Sequence, residues 1–118
     1  MDIYTAHYRY SGDDRLDITV KGNTPPGNVL APTWDMVKAH KAGTLGDWDY
    51  TVQYLSLIVK RMYSGAEIEQ DMMDQIVFRL PSLTLVCFCP AGQFCHRIPA
   101  AQMLQNMGHG TYHGERIL

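Results

Sequence analysis

The sequence predicts a compact α/β sandwich, a small, mostly parallel sheet flanked by helices. Three observations predict it: two early runs with strand composition, a long middle stretch of helical periodicity, and a late apolar run followed by a turn and another helical pattern. The late run, residues 83–87, is bounded by Pro81 and Pro90 and suits a strand buried on both faces, which implies helices covering it.

Residues 3–8 have strand composition and open the fold as a central or near-central strand. Tyr4, Tyr8 and Tyr10 share its parity and hence one face, where packing is the default reading and stacking against a base the alternative. Ser11, Gly12, Asp13 and Asp14 turn the chain. Leu16, Ile18 and Val20 then alternate with Asp17, Thr19 and Lys21, the two-residue period of a strand with one buried face. Residues 22–28, with two prolines and two glycines, are too irregular for helix or strand and form a loop of the kind that often rims a site.

Thr33 is placed to cap a helix over Trp34–Lys41, stopped by Gly43, with Trp34, Met36 and Val37 inward. Asp47 is placed to cap a second helix that Gly65 ends; Trp48, Val52, Leu55, Val59 and Met62, three or four residues apart, mark its inner face. A third helix over residues 66–79 turns Ile68, Met72, Ile76 and Leu80 inward before Pro81 halts it. After the Pro90-Ala91-Gly92 turn, Ile98, Ala101, Met103, Leu104 and Met107 mark a fourth helix. Pro99 is tolerated in its first turn, and Gly108 ends it as a left-handed cap. Residues 111–118 add a short edge strand through Tyr112 and Ile117.

At 118 residues the chain is long enough for one domain and one core. Hydrophobic residues at 46% and charged residues at 19% describe an ordinary globule, and a net charge of −2 removes the broad electrostatic case for nonspecific nucleic-acid binding. No apolar run approaches the roughly 20 residues that span a bilayer. Met1-Asp2-Ile3-Tyr4 lacks the charged and apolar regions of a secretory signal, so a cytoplasmic, reducing compartment is expected.

Chemistry concentrates in Cys87, Cys89, Cys95, His96 and Arg97. The order strand, loop, helix puts the last three at a helix N-terminus, where unpaired amides and the helix dipole favour anions and ease ionisation of a thiol. Arg97 adds a forked charge suited to phosphate or carboxylate. Cys95 is the candidate nucleophile and His96 a candidate base, although neighbours at a helix start point apart, which favours a partner elsewhere for His96. Cys89 and Gly92 belong to the same turn as ligand contacts. His7 joins them because it ends the first strand, and ligands of open α/β sheets sit beyond the carboxyl ends of strands. Cys87, inside the strand, reads as core. Cys89, Cys95 and His96, with Cys87 as a fourth, offer zinc ligands but lack paired C-x-x-C units, so no metal set is assigned. A Cys89–Cys95 disulfide would close a small loop and leave an odd thiol. The phosphatase spacing, Cys then Arg after five residues, is not met. His40, His109 and His113 read as surface residues.

Val29-Leu30-Ala31-Pro32-Thr33-Trp34, the Asp47-Trp48 helix start with Tyr54, and Leu85-Val86-Cys87-Phe88-Cys89-Pro90 with Phe94-Cys95-His96-Arg97 together resemble the bacterial and phage family called domain of unknown function 488. The likeness spans roughly residues 1–107, and its Cys-His-Arg ending is the most specific part. It implies a Rossmann-like α/β fold and no established general activity. Family members place Arg or Lys after the second strand; Lys21 stands closest to that place, which makes it a further ligand contact. The chain departs from the family in a shorter 21–32 loop and a Gly-His-rich ending. The leading expectation is therefore a nucleotide, phosphate or other anionic small ligand held at the Cys95-His96-Arg97 helix start. Alternatives are a noncatalytic bacterial or phage interaction protein that modulates a host protein, and a small structural zinc module.

Overall fold

A computed structural model describes residues 1–64, 67–78, 81–89 and 94–117. Strand β1 (Asp2–His7) lies inside the sheet. It pairs on one side with β3 (Ser82–Cys87) and on the other with β4 (Thr111–Arg116), while β2 (Arg15–Asp17) lies outside β3. The order β2-β3-β1-β4 is parallel throughout, with Ile3 opposite Leu83 and His7 opposite Cys87. All of Leu83–Cys87 is buried, as an interior parallel strand requires.

The two faces of that sheet are built differently. Ile3, Leu16, Leu83 and Leu85 point into the main core with Tyr54, Ile58, Ile76, Ala100 and Leu104 from the helices. The opposite parity carries Tyr4, Tyr8, Thr84 and Val86. This face is closed by the β1–β2 connection and by arginines: Arg116 lies 3.7 Å over the Tyr4 ring and Arg15 4.3 Å over Tyr8. Asp14 gathers hydrogen bonds there from Tyr10, Ser82 and Thr84 hydroxyls. Burial tends to raise its carboxyl pKa, but those bonds and the Arg116 charge outweigh it and hold the group below its usual range. The tyrosines are thus packing residues.

Strand β2 is shorter than the alternation of Leu16, Ile18 and Val20 predicts. Ile18 still donates to the Val86 carbonyl, but Asp17 Oδ1 accepts from both the amide and the hydroxyl of Thr19 and turns the chain out of the ladder. The following loop contains a 3₁₀ turn (Gly27–Leu30), and a side chain at Gly27 would run into the Asp17 carbonyl.

Helix α1 (Trp34–Lys41) starts as expected, with Thr33 Oγ1 accepting from the Met36 amide at 3.2 Å. Helix α2 (Asp47–Tyr63) is capped by Gly46, one residue earlier than expected. Its inner face also differs. Tyr50, Tyr54 and Ile58 are buried, Leu55 and Met62 are half-buried, and Trp48 is 78% exposed with Val52 and Val59 about half exposed. The rotation is decided by the tyrosines, since the Tyr54 hydroxyl donates to the Leu30 carbonyl at 2.6 Å and its ring can be buried without an orphaned polar atom. Helix α3 (Glu67–Val77) buries Met73 and Ile76. The Gly65 stop, the Leu80 contact and the Ile68 side chain lie outside the described residues. Helix α4 (Arg97–Asn106) packs on β1, β3 and β4 through Ala100, Ala101 and Leu104, and Gly108 ends it at φ +83°. Among the described residues no helix is long and apolar enough to cross a membrane.

Candidate functional site

Where β2 and β3 end, the chain leaves a cavity of about 380 Å³, within the range of small-ligand sites. Its sheet side comes from Thr19, Val20 and Lys21 after β2 and from Cys87, Phe88 and Cys89 at the end of β3. Trp34, Val37, His40 and Lys41 of α1 and Tyr50 of α2 supply the facing wall, and Phe94, Cys95 and His96 complete it. Trp34 and Val37, which periodicity assigns to the inner face of α1, therefore line a ligand-sized hollow instead, while Met36 does enter the core. Phe94 meets the Tyr50 ring edge-on at 5.7 Å, and Lys21 Nζ sits 5.8 Å from the Phe88 ring.

Of the sequence-derived site residues, Cys89, Cys95, His96 and Lys21 converge on this cavity. His7 does not: its Nδ1 accepts from the Arg9 amide at 3.1 Å, and its electrostatic influence falls on Glu115. Gly92 lies outside the described residues. His40, taken from sequence as a surface residue, is a wall residue whose Nε2 bonds Asp47 Oδ1 at 2.7 Å and whose ring approaches Tyr50 and Phe94.

Arg97 is placed where the anion-binding expectation does not put it. The side chain is fully buried; Nε and Nη2 make a bidentate pair with Glu115 at 2.8 and 3.0 Å. Nη1 donates to Cys87 Sγ at 2.8 Å and to the Cys89 carbonyl at 3.0 Å. Burial alone would push the Glu115 carboxyl up, but the Arg97 hydrogen bonds and charge overcome this and hold it below the usual range. The start of α4 is also poor in donors, because the Ile98 amide bonds the Cys95 carbonyl, Pro99 has none, and the Ala100 amide bonds His96. A guanidinium neutralised inside the protein and amides already engaged do not form an anion cradle. Spacing could not reveal this, because Glu115 is 18 residues away and reaches Arg97 through strand β4.

His96 finds the distant partner expected of it: Nε2–H donates to the Ile18 carbonyl at 2.8 Å. That bond leaves the Nδ1 lone pair facing Cys95 Sγ at 3.5 Å. Burial lowers the His96 pKa to about 4, so the ring is neutral but only a weak base.

The three sulfurs form one cluster. Cys87 and Cys95 are joined as a disulfide, not Cys89 and Cys95, because β3 ends with the Cys87 side chain facing the start of α4. Cys89 is the free thiol, and all three Sγ atoms lie within 4.8 Å of one another. Cys87 is thus both core and site. No family model, curated protein or solved structure matches this chain.

Proposed function

We propose that the protein binds an anionic small molecule with a flat ring, of mononucleotide size, in the cavity beyond β2 and β3. The observation that carries this reading is the lining: aromatic rings from Trp34, Tyr50, Phe88 and Phe94 with Lys21 and Lys41 as cations. Rings suit a base, and lysines suit a phosphate without the bidentate geometry of arginine. The anion contact thus shifts from Arg97 to Lys21 and Lys41, while Arg97 and Glu115 brace the loop behind them. The likeness to the domain of unknown function 488 family belongs to the same proposal and bears on the location rather than the ligand.

Isothermal titration against nucleotides, nucleosides and phosphorylated metabolites tests it. The expected result is saturable binding to a phosphorylated ring compound that weakens about tenfold in Lys21→Ala, the loss of one charge-assisted contact. Silence across the panel, or an affinity indifferent to Lys21→Ala and Phe88→Ala together, overturns it.

A further inference from the structure

We infer that Cys87, Cys89 and Cys95, once reduced, form a three-thiolate site for a single soft metal ion of the zinc class, with the fourth position open to the cavity. The sulfurs already lie within 4.8 Å of one another, and all three residues line the same hollow. In a tetrahedral zinc site, bonds of about 2.3 Å place sulfurs roughly 3.8 Å apart, so the Cys87 and Cys95 sulfurs, bonded to each other when oxidised, have to separate only modestly on reduction. The Cα atoms of Cys87 and Cys95 stand 7.5 Å apart. That exceeds the roughly 4.4–6.8 Å usual for directly bonded cysteines and suits sulfurs joined through an ion.

A second, independent observation is what Arg97 does. A fully buried guanidinium spends an Nη1 hydrogen bond on Cys87 Sγ and holds the Cys89 carbonyl with the same nitrogen, while Glu115 fixes its other edge. Disulfide sulfur is a weak acceptor and thiolate a strong one, so this donor is better satisfied when Cys87 is ionised. An N–H bonded to a ligating sulfur, with the loop carbonyl pinned beside it, is the outer-shell arrangement that orients metal ligands. Three thiolates and one divalent ion carry a net charge of −1, and Lys21 and Lys41 on the same cavity offset it. The chemistry balances simply: a dithiol reductant gives two electrons and two protons to the Cys87–Cys95 bond and leaves as its own disulfide. The three thiols then release three protons to solvent as the ion binds.

The inference does not rest on the nucleotide reading, and a silent nucleotide titration leaves it standing. The test is to reduce the folded protein with a dithiol, remove the reductant without air, supply zinc or cobalt ions, and measure bound metal. We expect one ion per chain, a thiolate-to-cobalt charge-transfer band, and thiols that resist a disulfide reagent until a chelator is added. Cys89→Ser, which changes a loop residue outside the core, should keep the far-ultraviolet circular dichroism and weaken zinc about 100-fold, one ligand's share of the binding energy. Reduced protein that retains no metal, binding undiminished in Cys89→Ser, or a Cys87–Cys95 bond that survives excess dithiol overturns the inference.

Discussion

His96 titrates where an ordinary histidine does not, and the stability of the protein should follow it. In the unfolded chain the ring takes a proton near its ordinary pKa of 6.5, while in the folded protein burial delays this to about 4. Between those values the unfolded state holds more protons, so stability is complete above pH 6.5 and falls as the pH drops towards 4. The loss is about 3 kcal/mol, from roughly two and a half pKa units at 1.36 kcal/mol each. Urea midpoints measured across that window check it. His96→Gln keeps a donor for the Ile18 carbonyl and removes the titration, so its midpoint should vary less with pH than that of the parent. Asp14 and Glu115, both held below the usual carboxylate range, lose their contribution only at still lower pH.

Helix α2 has two apolar stripes, and the choice between them separates what was legible in the sequence from what was not. Its existence, its length and its position followed from periodicity, because either stripe gives the same helical repeat. The buried side did not follow, since it depends on a carbonyl at Leu30 that accepts the Tyr54 hydroxyl, a contact across 24 residues. Helix α1 and the Gly108 cap were legible because capping is local. The premature end of β2 was legible only to a reading that weighed the Asp17 side chain against the ladder. Ile58→Ala should cost about 2–5 kcal/mol by leaving a void in the core, whereas Val59→Lys on the neighbouring exposed stripe should change stability by less than about 0.5 kcal/mol. Chemical denaturation of the two variants side by side checks the assignment, and equal losses would contradict it.

At the scale of the molecule, the candidate site divides in the same way. That chemistry gathers beyond the end of β3 was readable, because a strand, a turn and a helix start leave little freedom for Cys89, Cys95 and His96. That Arg97 faces inward was not, because its counter-charge arrives on the last strand. A chain ending at residue 110 lacks both β4 and Glu115, which strands a buried cation. Such a chain should be cut by a nonspecific protease far faster than the full protein, and equal resistance would show that the Arg97–Glu115 pair matters little to folding.

The central position of β1 has a consequence for synthesis. Its hydrogen-bonding neighbours are strands that begin at residues 82 and 111, so β1 leaves the ribosome long before the strands that pair with it. Until then its backbone must stay solvated or be shielded by a chaperone, and the buried cysteines meet whatever oxidants or ions surround the emerging chain before the fold closes over them.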